Sequence, residues 1–396
     1  MDMARIVSGP LACHYLAALG AEVLRIEPPG GDPTWNTPPF VGPEGVHQGP
    51  RGPNDIALAP LRRARGKRSV VLDVKHTRGR ELLLELVRGA DVLLENFRPG
   101  VMDALGLSRA TLEAANPRLL HCSVTGFGHT GPYRDRPAMD LVVQAMSGLM
   151  AKTGFPDGPP VKSGVIIGDE VTSVFAALAV VAALRQRDQD GQGRLVDVTM
   201  FESLLSLLWD EPLDHYEHVG FPPRWGNTDV RAGPLGTFAT TDGYVAMVLT
   251  GESQWGKLCG HLGRPDLAHL TSADRRGEVL AAINGIVTEW CAAHSTAECV
   301  AALADCDLPA GPVEPPWVGR RDPHVAALGS LEPLGHGALD EPTDYLGPRL
   351  PFRIDDVDLG TTAAEILGAS TDAVLRDLCG CDDAELDRLR SEGVIG

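Results

Sequence analysis

The chain has 396 residues, of which 43% are hydrophobic and 22% are charged, a composition typical of a folded globular protein rather than a disordered one. Acidic residues outnumber basic ones, 53 to 35, and the net charge of −18 argues against general binding of nucleic acid or an anionic membrane. We expect no membrane-spanning segment, because no stretch is predicted to approach the ~20 apolar residues needed to cross a bilayer. The N-terminus has no signal-peptide pattern, so we expect a cytoplasmic protein.

Short β-rich runs alternate with helical patterns in the first half of the chain, which predicts a parallel sheet covered by helices. The predicted elements are helix Pro10–Leu19, strand Glu22–Ile26, strand Ser69–Val74, helix Thr77–Arg88, strand Asp91–Phe97, helical segments in Val101–Ala115, strand Leu119–Thr125, helices Asp140–Ala151 and Val171–Arg187, strand Leu195–Thr199 and helix Phe201–Leu208. The Pro- and Gly-rich segment Pro28–Pro60 is interpreted as a loop too polar and too broken to join the core.

The pattern changes after Pro222. A hairpin is predicted from Leu235–Thr240 and Tyr244–Leu249, and two helical stretches rich in Ala and Leu follow it. Near the end, Asp372–Leu378 and Asp383–Arg390 have the spacing of amphipathic helices, which we expect to pack on the first half of the chain.

Asp169 follows the apolar run Gly164–Gly168, which we interpret as a strand that ends just before a helix beginning near Val171. A carboxylate at that point, with Gly168 before it to let a substrate approach, can act as a nucleophile on a carbonyl. Aspartate is also a preferred helix N-cap, so the local sequence leaves both roles open.

Three further patterns limit the possible functions. The basic run Arg62–Arg68 is interpreted as a polyphosphate contact or a solvated loop. The eight cysteines include no pair of CxxC units, so we expect free thiols and no metal site. The run Gly126–Gly131 matches G-x-G-x-x-G, but a turn follows it instead of a helix, which argues against a dinucleotide site.

Several segments occur in a characteristic order: Ser8-Gly9-Pro10, Leu19–Val23, Lys67-Arg68-Ser69 with Leu72–Lys75, Glu95–Gly100, Ser123–Gly128, Gly168-Asp169 and Val196–Thr199. In this order and spacing the sequence resembles the class III CoA-transferases, the family of formyl-CoA transferase and carnitine CoA-transferase. The resemblance implies an α/β fold with a Rossmann-like large domain built from both chain ends, a smaller α+β domain, and an interlocked homodimer. We therefore expect a large domain at 1–205 completed by 330–396, a small domain at 222–316, and linkers at 206–221 and 317–329.

The resemblance also implies a function. It predicts transfer of CoA from an acyl-CoA thioester to a carboxylic acid, through an aspartyl anhydride and an aspartyl-CoA thioester at Asp169. The CoA contacts implied are Val7, Ser8, Leu72, Asp73, Val74, Lys75, Asn96, Phe97 and Arg98. Acyl-CoA and the acid are the expected partners, and no permanently bound cofactor is expected.

Two alternatives remain open. A racemase of the same family needs a His-Asp pair, which would fall at Met139-Asp140, and methionine cannot accept a proton, although His129 is near in sequence. A non-catalytic acyl-CoA-binding protein is the other alternative. Two local features differ from the family pattern: only Met1–Met3 stands where a longer first strand is expected, and Thr250–Gln254 replaces a glycine-rich loop. We interpret Gln254 as an oxyanion donor or as the start of a helix.

Overall fold

The computed structural model describes residues 1–42, 45–53, 55–208, 215, 218, 220, 222–229, 231–249, 251–339 and 343–396. The chain divides into two compact units. The first contains residues 1–147, 164–210 and 324–396, and the second contains residues 148–163 and 211–323. The domain boundaries expected from the sequence stay a prediction, because compactness does not test whether each part folds independently.

The helices of the described residues, in chain order, are α1 Ser8–Ala18, α2 Leu58–Ala64, α3 Thr77–Arg88, α4 Val101–Ala104, α5 Arg109–Ala115, α6 Asp140–Met146, α7 Leu149–Lys152, α8 Ile167–Asp190, α9 Met200–Leu208, α10 Glu252–His261, α11 Gly277–Ala292, α12 Thr296–Asp305, α13 Pro316–Gly319, α14 Pro323–Ala327, α15 Thr371–Cys379 and α16 Asp383–Ser391. The strands are β1 Val23–Glu27, β2 Phe40–Gly42, β3 Gly45–His47, β4 Ile56–Ala57, β5 Lys67–Val71, β6 Val92–Glu95, β7 Leu120–Thr125, β8 Arg194–Thr199, β9 Leu235–Ala239, β10 Tyr244–Val248, β11 Ala310–Pro312, β12 Leu331–Pro333 and β13 Leu346–Pro348.

Parallel strands organise the first unit. β1 pairs with β5, while β7 lies between β6 and β8. Met1–Met3 joins the two groups, since the Asp2 N–H donates to the Leu24 carbonyl (2.8 Å) and the Met3 N–H donates to the Leu94 carbonyl (2.9 Å). The strand order is therefore β5, β1, Met1–Met3, β6, β7, β8, and the predicted mixed α/β fold with a parallel sheet is confirmed.

Helices cover both faces of this sheet because neighbouring side chains on a strand point to opposite sides. On one face, Leu93 packs in a core with Leu82 and Leu86 of α3 and with Leu375 of α15. The next residue, Leu94, packs on the other face with α1 and α8. The expectation that the last two helices pack on the first half of the chain is confirmed.

Two local expectations are wrong. The segment Pro28–Pro60 contributes Trp35, Phe40 and Ile56 to the buried interior, because it folds into short strands and a turn of 3-10 helix. Gly164–Gly168 is not a strand: the side chain of Val165 is 52% exposed, and α8 begins at Ile167. An apolar run alone does not distinguish a buried strand from an exposed approach to a helix.

The second unit contains the predicted hairpin. β9 and β10 pair antiparallel, and β11 adds a third strand to β10. Phe238 and Val245 of this sheet share a core with Trp255 of α10 and Ile283 of α11.

Helix α8 is long and apolar enough to cross a membrane, by length and composition alone. The statement from sequence that no such stretch exists is therefore wrong. Ala176 and Val180 of this helix pack in the core of the first unit. Core helices of soluble proteins pass the same test, so the feature is weak evidence for a membrane span.

Candidate active site

The loops that follow the parallel strands meet at one edge of the sheet. Ala4–Ser8 follow the segment Met1–Met3, Asn96–Arg98 follow β6, and Gly126-Phe127 follow β7. The chain passes from Met1–Met3 outward to β1 and β5, and then returns on the other side as β6. Ligands of open parallel sheets bind where the strand order reverses in this way, between the loops of the two central strands.

A cavity of about 120 Å³ lies at this point. It is lined by Ile6, Val7, Ser8, Asn96, Phe97, Arg98, Pro99, Val124, Thr125, Gly126, Phe127, Arg134, Arg136, Ala138, Met139, Asp140, Asp169 and Met200. Five of the predicted CoA contacts, in two separate segments of sequence, thus lie beside Asp169. A larger cavity of about 1040 Å³ is lined by residues at the opposite, amino ends of β1 and β6 and does not include Asp169.

The predicted contacts Leu72, Asp73, Val74 and Lys75 are not among the residues lining the 120 Å³ cavity. They follow β5 at the same edge of the sheet. Leu72 as a whole residue is 1% exposed: its side chain belongs to the core, and its N–H donates to the Glu27 carbonyl (2.8 Å). The Asp73 carboxylate accepts a hydrogen bond from the Lys75 N–H (3.0 Å), while the Lys75 side chain is exposed.

Asp169 lies in the first turn of α8, where the N-cap position is Ile166. The N-cap alternative considered from sequence is therefore wrong. Burial raises the pKa of the Asp169 carboxyl to about 6, and the negative charge of Asp140 adds to the rise. The hydroxyl and N–H of Ser8 and the positive charge of Arg63 act in the opposite direction. Ser8 begins α1, so the positive end of that helix dipole also favours a negative charge here.

Asp140 shares the cavity with Asp169, and the sequence analysis considered it only for the racemase. One carboxylate oxygen accepts from the Gly168 N–H (2.7 Å) and the other from the Gln144 side-chain amide (2.6 Å). A Cβ on Gly168 would lie 2.9 Å from that carboxylate and 3.1 Å from Val143. Gly168 therefore makes room for Asp140, while its role in letting a substrate approach stays a prediction.

The segment before α1 is held from two sides. Ile6 has φ 67°, a left-handed conformation that is costly for a β-branched residue. Its N–H donates to the buried Asp32 carboxylate (2.9 Å), which Arg25 also contacts (3.2 Å). On the other side, the Arg5 N–H donates to the Asn96 side chain (2.7 Å), and the Asn96 amide donates to the Arg5 carbonyl (2.8 Å). These bonds fix the start of α1 against the loop after β6.

The basic run is not a single polyphosphate contact. The Lys67 ammonium donates to Asp2 (2.7 Å) and to the Pro10 carbonyl (2.6 Å), and its side chain is 1% exposed. Arg65 is likewise buried and pairs with Glu332 and His14. These two side chains are committed to the interior and cannot reach a CoA phosphate.

Other candidates from sequence have structural roles. Gln254 lies in the first turn of α10, where its side chain accepts from the Gly251 N–H (2.9 Å) and donates to the Asp307 carbonyl (2.6 Å), as a helix start requires. Thr250 lies outside the described residues. After Gly131 the chain makes turns and no helix opens until Asp140, which confirms that the G-x-G-x-x-G run lacks the helix of a dinucleotide site.

Methionine stands where the racemase alternative needs the histidine of its His-Asp pair. Met139 lines the cavity, and the residues lining it include no histidine. Nε2 of His129 is 2.8 Å from the Ser123 hydroxyl, so this histidine is already hydrogen-bonded.

A family model described as CoA-transferase family III matches residues 1–365. The chain belongs to this family. The resemblance predicted from sequence motifs is confirmed, and the protein is a class III CoA-transferase, an enzyme whose substrates include a CoA thioester. The transferase has its cavity where a parallel sheet binds ligands, with the aspartate of the Gly168-Asp169 motif in its wall.

Named relatives support the same assignment. The transferase is 35% identical to the succinyl-CoA–L-malate CoA-transferase alpha subunit of Chloroflexus aurantiacus, with 100% of this chain and 91% of that protein covered. It is 32% identical to the formyl-CoA:oxalate CoA-transferase of Streptomyces avermitilis, with 100% and 98% covered. It is also similar to the crystal structure of a CAIB/BAIF family protein from Brucella suis, with a TM-score of 0.82, 33% identity, and 95% and 97% of the two chains covered.

Proposed function

We propose that the transferase moves CoA from an acyl-CoA thioester to a carboxylic acid, with Asp169 as the covalent nucleophile. The observation that carries the proposal is a carboxylate in the wall of the 120 Å³ cavity, beside a second carboxylate and near the start of α1. Partial removal of water makes a carboxylate a better nucleophile than it is in solution.

Four balanced steps follow from that chemistry. The Asp169 carboxylate attacks the thioester carbon, and the carbon–sulfur bond breaks to release CoA thiolate and leave a mixed anhydride. The thiolate attacks the aspartyl carbonyl, which expels the donor acid and leaves an aspartyl-CoA thioester. The acceptor carboxylate then attacks the aspartyl carbonyl, and the released thiolate attacks the acceptor carbonyl of the second anhydride. The product is acceptor-CoA, and Asp169 returns as a carboxylate.

CoA is proposed to lie along the carboxyl edge of the sheet. Val7, Ser8, Asn96, Phe97 and Arg98 support this placement because they share the cavity with Asp169. Leu72, Asp73, Val74 and Lys75 follow β5, two strands from Met1–Met3 at the same edge, and a molecule as long as CoA can extend to that strand. Arg98 and Lys75 supply positive charge for the phosphates.

The Rossmann-like description of the large domain is part of the proposal. Counting Met1–Met3 as the first strand, the order β5, β1, Met1–Met3, β6, β7, β8 corresponds to 3-2-1-4-5-6.

The deciding experiment is intact-protein mass spectrometry after mixing the transferase with a pool of acyl-CoAs, with and without hydroxylamine. We expect an adduct that hydroxylamine converts to a hydroxamate at Asp169, and no adduct on Asp169→Ala. Asp190→Asn, which removes an exposed carboxylate at the other end of α8, serves as the matched control and keeps the adduct. Wild-type turnover by Asp169→Ala would overturn the proposal.

We also propose that the transferase forms the homodimer implied by its resemblance and is cytoplasmic. On α8, the side chains of Val174, Leu178 and Val181 are 53%, 60% and 45% exposed, an apolar stripe that a second subunit would cover. Light scattering should give a dimer mass that Leu178→Asp lowers to that of a monomer.

Cell fractionation tests the proposed cytoplasmic location: recovery of the wild type with membranes would contradict it.

A further inference from the structure

Arg63 differs from the other interior cations of the basic run. Its Nε atom is buried and has no hydrogen-bond partner within the described part of the chain. A buried donor without a partner costs roughly 1–3 kcal/mol, so native proteins usually satisfy it with protein, water or ligand. Arg65, two residues later, makes the contacts with Glu332 and His14 that Arg63 lacks.

The charges around Arg63 explain why it forms no ion pair with the residues that the structure describes. The acidic groups that act on it are Asp32 and Asp169, and the basic ones are Arg25 and Arg62. Asp32 is already engaged: one oxygen accepts from the Ile6 N–H (2.9 Å), and the other accepts from the Thr34 N–H (2.8 Å). Burial lowers the pKa of Arg63 to about 10, which leaves the guanidinium charged at neutral pH.

The position of Arg63 relative to the cavity suggests which part of a substrate it meets. Arg63 acts on Asp169 but is not among the residues that line the 120 Å³ cavity with the proposed CoA contacts. A thioester carbon at Asp169 carries CoA on one substituent and the acyl chain on the other. With CoA in the cavity, the acyl chain extends away from it.

We propose that Arg63 binds a second carboxylate on the acyl group or acceptor acid, which makes the preferred substrates dicarboxylic acids. This inference rests on the proposed function of Asp169. A guanidinium binds a carboxylate through two parallel N–H···O bonds, and because Arg63 is only half-buried, part of its side chain is open to such an anion. The relatives named for L-malate and oxalate also act on dicarboxylic acids.

The test compares succinyl-CoA with butyryl-CoA, which have acyl chains of four carbons and differ in the terminal carboxylate. For the wild type we expect a higher kcat/KM with succinyl-CoA. Arg63→Met should lower that value by about 10- to 100-fold, as expected for a charged hydrogen bond, with less than about a threefold change for butyryl-CoA. Arg63→Lys keeps the charge and should recover part of the preference.

Arg62→Met is the matched control, since it removes an exposed charge from the neighbouring position and should leave the ratio of the two substrates unchanged. An equal loss with both substrates would overturn the proposal and give Arg63 a role only in tuning Asp169. A wild type without preference for succinyl-CoA would also overturn it. Adduct formation at Asp169 with butyryl-CoA separates the two proposals: an adduct without selectivity defeats only the Arg63 assignment, and no adduct with any acyl-CoA defeats both.

Discussion

Two groups of carboxylates in the first unit have opposite electrostatic surroundings. Burial alone would raise the pKa of the buried Asp2, but the charges of Lys67 and Arg25 overcome it and lower the pKa. Asp169 is half-buried beside another carboxylate, Asp140, and its pKa is raised to about 6. The carboxylate paired with cations stabilises the sheet, whereas the like-charged pair keeps a reactive group at the edge of the sheet. Strongly shifted pKa values caused by burial and a nearby charge are typical of functional sites.

Removal of a cation from the paired group should have the largest effect on folding. In Lys67→Met, Asp2 loses its 2.7 Å partner and keeps Arg25, 3.7 Å away, and the N–H of Ala4 (3.0 Å). Breaking one side of a buried ion pair costs about 3–5 kcal/mol, so we expect the free energy of unfolding in urea to fall by about 3 kcal/mol. Lys75→Met, at an exposed side chain, should change it by less than about 0.5 kcal/mol. Equal stability of the two variants would show that the Asp2 network is not needed for folding.

Removal of the Asp140 charge beside Asp169 should move the pH profile of kcat/KM. The reactive form of Asp169 is the carboxylate, so kcat/KM of the wild type should fall as the pH drops through about 6. Asp140→Asn removes the neighbouring negative charge and lowers the pKa of Asp169, which moves the acid limb of the kcat/KM profile to lower pH. Asp190→Asn should leave it in place. A limb that stays near 6 in Asp140→Asn would show that burial alone raises the pKa.

Asp169 and Asp2 should have opposite effects on how the stability of the protein depends on pH. Because the folded-state pKa of Asp169 is raised from 3.8 to about 6, its contribution to stability is complete below about pH 4 and is lost as the pH rises through 6. The lowered pKa of Asp2 has the reverse effect: its contribution is present above pH 3.8 and is lost as the pH falls. Urea unfolding of Asp169→Asn across pH 4–7 should therefore lack the decline with rising pH that Asp169 contributes to the wild type.

Displacement of Asp140 without loss of its charge is a milder perturbation. A Cβ on Gly168 would be 2.9 Å from the Asp140 carboxylate, so Gly168→Ala should displace Asp140 relative to Asp169. We expect kcat to fall by about tenfold, in line with the cost of small misplacements in active sites. Gly164→Ala, where a Cβ meets no atom within 4 Å, is the control. Unchanged kcat in both variants would mean that the position of Asp140 does not matter for turnover.

Loss of one donor should have the smallest effect. Ser8→Ala removes the hydroxyl that lowers the pKa of Asp169 and keeps the N–H at the start of α1. The acid limb of kcat/KM should move slightly to higher pH, opposite to Asp140→Asn, with a rate loss of about threefold, since a single hydrogen bond contributes about 1 kcal/mol. A shift to lower pH would contradict the role given to Ser8.

Elements whose signals are local could be predicted from the sequence. Helix α3 runs from Thr77 to Arg88 as predicted, because its apolar residues recur with helical spacing and Leu82 and Leu86 are buried on one face. The motif order also placed the chain in its family and brought attention to Asp169. These features depend on residues that are close together in the sequence or on the order of short motifs, so the sequence is enough to predict them.

The side chains that surround Asp169 could not be predicted from the sequence, because they come together only when the chain folds. Asp140 reaches the Gly168 N–H across 28 residues, and Lys67 reaches Asp2 across 65. Periodicity carries no information about such contacts, because strand order and helix packing bring the partners together. For the same reason, the basic run could not be divided from sequence into two cations paired in the interior, Arg65 and Lys67, and one cation, Arg63, whose Nε has no hydrogen-bond partner among the described residues. That division depends on where each guanidinium or ammonium group lies once the sheet and its helices have packed.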